Sequence, residues 1–247
     1  MTEINDRHDN IAPQFPFFES TCWNLVLTAN RQYSSESDTA LDWLCRTYWP
    51  PLYAYALRRA SNVHEAQDLT QAFFERMLDR KYLADADPLR GRFRAFLLTA
   101  FKRFLANEWD REQAKKRGGG LHRISMEFAE FETIRFQDSL TPETIFERRW
   151  ATTLLDRVMQ NLQIDMQQIG KAKEFEILKH HLSGKHAAIS FAESARKLGL
   201  SESATRMAAS RMRKKYRHLL RNEILQTVSS AEEVDDEIQR LFAAFES

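Results

Sequence analysis

ISFAESARKLGLSESATRMAASRMRKKYR, residues 189–217, reads as a short amphipathic helix, a tight glycine turn and a second helix that is basic along its length. Phe191, Ala195 and Leu198 fall on one face of the first helix. Gly199 stands where a helix ends in a left-handed cap, a conformation that only glycine takes without steric cost. Leu200 is expected to reach back to the core, and Ser201 to N-cap the second helix. This is the layout of a helix-turn-helix, whose second helix enters the major groove of DNA. From Arg196 to Arg221 there are nine Lys/Arg against a single acid, Glu202, a net of +8. Such density releases counterions from a phosphate backbone, and that release supplies much of the binding energy. The alternative for this segment alone is a solvated charged helix in an ordinary bundle.

The whole chain of 247 residues carries a net charge of only +1, which hides the way charge is segregated. Residues 90–117 hold nine Lys/Arg against three acids, a net of +6, and residues 223–247 hold seven acids against one Arg, a net of −6. Two basic blocks and an acidic tail form a pattern that suits specific partners. Seven Gly and six Pro are few for this length, and the composition favours a mostly helical protein with one or two cores. Cys22 and Cys45 have no metal-ligand or redox spacing, which fits a reduced compartment. No apolar run approaches 18 residues, and no charged-then-apolar leader opens the sequence. The expectation is a soluble, non-secreted, cytoplasmic protein with no membrane partner.

Residues 1–20 are expected to be a flexible extension, with a helix beginning near Thr21. SSES (34–37) suggests a loop before a helix at 39–48. Pro50 and Pro51 should interrupt that helix, which can restart at 51–60 because Pro is tolerated in a first turn. Asn62 with Glu65 outlines a capping box ahead of a helix over 63–80. ADADPLRG (84–91) is a loop. The strongest period follows: Phe93, Phe96, Leu97, Ala100, Phe101, Phe104, Leu105 and Trp109 trace one apolar stripe. Residues 118–140 suggest a linker. Thr141, Pro142 and Glu143 supply an N-cap, a first-turn Pro and an early acid for the next helix. Phe175, Ile177, Leu178 and Leu182 mark another, and 234–245 is a final amphipathic segment. The expected fold is all-α, with two helical modules at 21–117 and 141–222, joined by the linker and followed by an acidic tail, 223–247.

LDWLCRTYWPPLYAYALRRASNVHEAQDLTQAFFERML (41–78) resembles region 2 of the sigma-70 family of RNA polymerase sigma factors, nearest the small two-domain extracytoplasmic-function (ECF) group. The matching marks are Tyr48-Trp49-Pro50, Leu52-Tyr53 and Glu65-Ala66-x-Asp68-Leu69-x-Gln71-x-Phe73. Residues 91–111 look like the helix that opens the promoter −10 element. Residues 189–217 look like region 4, which reads the −35 element. The modules are therefore expected to be a region 2-like bundle and a region 4-like helix-turn-helix. The partners implied are core RNA polymerase, through the β′ clamp coiled coil and the β flap, and promoter DNA.

Carried over residue by residue, the polymerase-docking candidates are Glu65, Asp68, Gln71 and Glu75, which the spacing keeps near one surface face. The sequence departs from the family at Gln67 and Ala72, where acids are usual, and at Thr70, where an aliphatic residue is usual. Some sigma groups with Thr here are switched on by a Ser/Thr kinase. Phosphorylation of Thr70, adding about two negative charges, is one expectation, and a neutral substitution is the other. For the −10 element the candidates are Arg92, Arg94, Lys102, Arg103, Asn107 and Arg111. Arg103 and Asn107 stand where the family has Asn and Asp, so its base preference does not transfer. Extruding a base still requires polar and aromatic walls near cations. Trp109 falls on the apolar stripe and suits a core role better than a stacking one. For the −35 element, Ser201, Glu202, Ser203, Arg206, Met207 and Ser210 should reach base edges, Arg206 gripping guanine and Glu202 accepting from cytosine. Arg211, Arg213, Lys214 and Arg217 should meet phosphates.

His180, His181 and His186 invite a metal reading, but no Cys or acid completes a site at ordinary spacing. DADP (85–88) and Asp235-Asp236 lie in loop or tail sequence with no phosphate-cradling glycine loop. Neither a metal nor a cofactor nor catalysis is expected of this chain. The acidic tail either packs on the modules as a solubilising helix or covers a basic surface until polymerase binds. The rivals to a sigma factor are a stand-alone helix-turn-helix regulator and a sigma-like protein that sequesters polymerase or a regulator. An anti-sigma partner is compatible with all of this.

Overall fold

The computed structural model describes residues 35–78, 92–116, 140–182, 189–228 and 230–246. Among them every regular element is helical, as the composition suggests. The helices are α1 (Ser35–Leu57), α2 (Val63–Leu78), α3 (Phe93–Lys116), α4 (Pro142–Gln168), α5 (Ala172–Leu178), α6 (Phe191–Leu198), α7 (Glu202–Leu225) and α8 (Val234–Ala243). Single 3₁₀ turns sit at Lys179–His181 and Ala231–Glu233. The expected N-terminal extension, the helix from Thr21, the loop 84–91 and nearly all of the linker lie outside the described residues.

The first departure from expectation is α1. It begins at Ser35, inside the stretch expected to be a loop, and runs unbroken through Pro50 and Pro51. An interior Pro costs a helix about 3 kcal/mol through its missing donor and its clash with the preceding turn. Here burial offsets that cost. Tyr48, Leu52, Ala54, Tyr55 and Ala56 are all wholly buried, and Trp43 and Tyr53 nearly so. Burying each large side chain contributes about 1.5–3 kcal/mol, enough to keep the helix continuous across the prolines.

The helix signals at other ends act as expected. Thr141 caps α4, its hydroxyl accepting the Thr144 N–H at 3.2 Å, with Pro142 at the first helical position. At the start of α2 the reciprocal box is present: Glu65 N–H donates to Asn62 Oδ1 at 2.8 Å, and Ser61 N–H donates to Glu65 Oε2 at 2.8 Å.

Two apolar clusters organise the described residues. The larger joins α1, α2 and α3 to the first half of α4, the end of α7 and α8. Its centre is aromatic: Phe73 meets Phe101 edge-on with centroids 4.9 Å apart, and Tyr48 meets Phe93 at 5.3 Å. Trp109 packs half-buried against it. The smaller cluster joins Leu162 and Met166 of α4, Phe175 and Leu178 of α5, and Ala208, Ala209 and Met212 of α7. The 27-residue α4, about 40 Å long, is thus the spine common to both. Polar ties reinforce it: Arg157 donates to Thr47 Oγ1 at 2.9 Å, and Arg58 to the Leu140 carbonyl at 3.1 Å.

Candidate nucleic-acid interface

Three surfaces hold the residues singled out by sequence. On α2, Asp68, Gln71 and Glu75 are exposed, and Gln71 Nε2 donates to Glu75 Oε1 at 3.0 Å. Glu65 does not join them. Its carboxylate turns back onto the Ser61 N–H and is only 6 % exposed, because the capping box takes the side chain that the docking face was expected to use. Thr70 is wholly buried, its hydroxyl donating to the Ala66 carbonyl at 2.7 Å. A kinase cannot reach that oxygen in the folded helix. A phosphate there would put about two charges into an apolar core at prohibitive cost. The expectation of a Thr70 switch is therefore set aside, and the neutral-substitution alternative fits.

On α3 the six candidates divide. Arg103, Asn107 and Arg111 are exposed, Arg111 pairing with Glu108 at 3.0 Å. Lys102 is half-buried and ion-paired to Glu143 at 2.6 Å. This pairing, chiefly the hydrogen bond from Lys102, holds the Glu143 carboxyl below its usual range. Arg92 and Arg94, expected on the open polar face, are turned inward. Arg92 Nε lies 2.8 Å from Glu237 Oε2 of α8, and Arg94 is paired with the same carboxylate. Arg94 Nε also lies 2.9 Å from Glu147 of α4, and its guanidinium sits 4.3 Å over the Trp150 ring. Burial pulls the Arg94 guanidinium down from its ordinary value, against the opposing pull of Glu147. Glu237 and Glu147 were missed by sequence reasoning, since nothing local marks an acid that pairs more than fifty residues away.

The third surface is the pair α6 and α7. Ser190 caps α6, accepting the Glu193 N–H at 3.1 Å. Gly199 has φ 69° and ψ 30° and ends α6. Its N–H donates to the Arg196 carbonyl, and the Leu200 N–H donates to the Ala195 carbonyl at 3.0 Å, the double closure of a Schellman turn. A Cβ at Gly199 would meet nothing, so the positive φ alone asks for glycine. Leu200, expected in the core, is 44 % exposed: its backbone closes the turn while its side chain faces out. Ser201 caps α7 by accepting the Ala204 N–H at 3.2 Å.

α7 then buries Thr205, and packs Ala208, Ala209 and Met212 against α4 and α5. The opposite side leaves Ser201, Glu202, Ser203, Arg206, Met207, Arg211, Lys214 and Arg217 exposed, with Ser210 and Arg213 half-buried. Arg206 and Glu202 are already joined, Nη2 to Oε1 at 2.6 Å, with the Arg206 guanidinium 4.5 Å over the Phe191 ring. Met207, at 60 %, is the most exposed large apolar side chain among the described residues. The surface can therefore offer one preorganised guanidinium, two serine hydroxyls, an apolar tip and a row of free-standing cations along one helix.

Of the histidines, His180 is exposed, while His181 is buried, shares a 2.8 Å hydrogen bond with Ser194 and stacks on Phe191 at 4.1 Å. Burial, then the nearby Arg213, lowers its pKa from the ordinary value. This is a packing role that ties the 3₁₀ turn to α6. His186 lies outside the described residues. No helix among the described residues is long and apolar enough to cross a membrane.

Residues 44–115 match the family model described as Sigma-70 region 2, a span that takes in most of α1, all of α2 and nearly all of α3. The match covers less than a third of the chain. No curated protein and no solved structure matches it.

Proposed function

We propose that this chain is an RNA polymerase sigma factor of the small two-domain, extracytoplasmic-function type, which binds core polymerase and directs it to promoters. The observation that carries the reading is the Sigma-70 region 2 match over 44–115, together with its helices folded around a closed aromatic core. In this reading Asp68, Gln71 and Glu75 meet the β′ clamp coiled coil, with Glu65 positioning the start of their helix. Arg103, Asn107 and Arg111 take the −10 strand, joined by Lys102. Residues 141–222 form the −35 module, with the start of α7 in the major groove and an additional contact to the β flap. Promoter DNA and polymerase are the partners, and bond-making belongs to the polymerase.

The exposed face of α7 supports a division of labour. Arg206, paired with Glu202 and 4.5 Å over the Phe191 ring, suits bidentate readout of a guanine once released from Glu202, whereas Lys214 suits a phosphate. Arg206→Ala should relax sequence preference. Lys214→Ala should weaken binding to all sequences alike and flatten the salt slope by about 1. Equal loss of specificity from both would refute the division.

The deciding experiment is run-off transcription from a genomic fragment library with purified core polymerase, with and without the protein. Discrete new start sites sharing a −35/−10 pair establish the sigma reading. No new transcripts, with DNA binding intact, would mark a stand-alone regulator; polymerase binding without transcripts would mark a sequestering protein.

A further inference from the structure

We propose that α8 is an acidic strap that seats the Glu237 carboxylate between Arg92 and Arg94, in the place of a nucleic-acid phosphate, and that it must leave this seat before the start of α3 can bind DNA. The proposal rests on the sigma-factor reading for the identity of the anion that replaces it, a phosphodiester of the promoter strand.

The seat is closed except along Arg92, whose side chain is 17 % exposed. Glu237 is wholly buried, Arg94 is 7 % exposed, and one carboxylate serves two guanidiniums. Carboxylate and phosphodiester are both oxyanions that guanidinium groups grip with paired donors, so the same two arginines fit either. A buried ion cluster adds little net stability over apolar side chains of the same volume. What the cluster does fix is which cations of α3 are available, and in this state two of the six candidates are not.

The strap is also fastened in a way that suits release. Val234 and Leu241 are buried in the large cluster, but the polar ties at either end are partly wet. Arg221 of α7 pairs with Asp235, both being about half or more exposed, and Arg148 of α4 donates to the Ala244 carbonyl at 2.9 Å. These ties join α8 to α4 and to the end of α7, the helix assigned to −35 readout. The same strap that holds Arg92 and Arg94 at the start of α3 is thus tied to the end of α7, so a shift of that end when α7 engages DNA pulls on it. The net charge of −6 over 223–247 adds a field that opposes any polyanion approaching this end of α3.

The test uses the full chain and a fluorescein-labelled single-stranded oligonucleotide, with affinity read by anisotropy over a salt series. Glu237→Gln keeps the side chain's shape and removes its charge. It should tighten binding about 5–150-fold, the range of ordinary intramolecular coupling. It should also steepen the slope of log K against log salt by about 1.4, the value for two further phosphates on a single strand. Adding Arg92→Ala and Arg94→Ala to Glu237→Gln should cancel both effects. The double change Glu232→Gln, Glu246→Gln, at exposed positions that do not fasten the strap, lowers the tail's negative charge further while leaving the seat filled, and should change affinity far less. If it matches Glu237→Gln, the tail acts by general charge and the seat is not the device. Should Glu237→Gln fail to fold, hydrogen exchange on the unaltered chain decides instead. With core polymerase and promoter DNA bound, α8 amides should lose protection, and full retention overturns the proposal. Failure of the sigma reading shows separately, as absence of transcripts from the unaltered chain, whatever the oligonucleotide does.

Discussion

The guanidinium of Arg94 lies 4.3 Å over the ring of Trp150, tying the first turn of α3 to the first half of α4. Trp150 is itself wholly buried, so this contact sits inside the large cluster rather than at its edge. Replacing Trp150 with Ala removes the largest side chain at that junction and leaves Arg94 without its cation–π partner. The expected loss is about 3–5 kcal/mol. Because α4 is packed in both clusters, unfolding should stay a single transition that moves to lower denaturant. A melt that splits in two, with α1–α3 unfolding at the original midpoint, would contradict the shared spine.

The box at the start of α2 offers a finer test. Asn62→Ala removes the acceptor of the Glu65 N–H and should cost about 1 kcal/mol. Glu65→Gln keeps an acceptor for the Ser61 N–H and should cost only part of that, whereas Glu65→Ala loses it altogether. If capping is the main role of Glu65, Glu65→Gln should bind core polymerase nearly as well as the parent in a pull-down. A collapse of polymerase binding with stability unchanged would return Glu65 to the docking face.

Thr70 separates burial from charge. Thr70→Val exchanges a hydroxyl bonded to its own helix for a methyl and should stay within about 1 kcal/mol, because the Ala66 carbonyl is in helical bonding anyway. Thr70→Asp places a carboxylate where exposure is nil, and should destabilise by several kcal/mol. Chemical denaturation of the two variants checks this. An acidic variant as stable as the parent would mean that α2 rotates to expose the site.

Two buried groups should give stability opposite slopes with pH. Burial raises the Glu223 pKa, more than Arg157 and the hydrogen bond from Asn161 lower it. Its contribution is present below the ordinary carboxylate value of about 4.3 and is lost as pH rises through its folded value. His181 is shifted down, so its contribution is present above about 6.5 and is lost as pH falls through its folded value. Glu223→Gln, which can still accept from Asn161, should therefore flatten the decline on the alkaline side. His181→Gln should flatten the one below pH 6.5. Urea midpoints from pH 4.5 to 8 measure both, and either variant leaving its slope unchanged would reassign that slope to another group.

Elements marked by local chemistry were legible in the sequence. The stripe of α3, the Thr141–Pro142 start of α4, and the Gly199 and Ser201 caps each depend on residues within a few positions of one another. Pro50 and Pro51 misled because local cost was weighed without the burial of Tyr48 and Leu52, which overrides it. Arg92 and Arg94 misled for a related reason. Periodicity says which face of a helix is polar but not whether an acid some 140 positions later will cover it. The face of α7 was legible because its pattern of buried Ala and exposed cations is complete within one helix.

The pairing of Arg157 with Thr47, 110 residues apart, has a consequence for the newly made chain. The apolar face of α1 emerges from the ribosome well before the residues of α4 that cover it. At about 5–20 residues per second, that gap is about 5–20 s. Phe93 and Phe101 of α3 reach Tyr48 and Tyr55 earlier, but the Trp43 ring waits out this interval for the Arg157 guanidinium that lies 4.9 Å over it, and until then it stands open to water and to neighbouring chains.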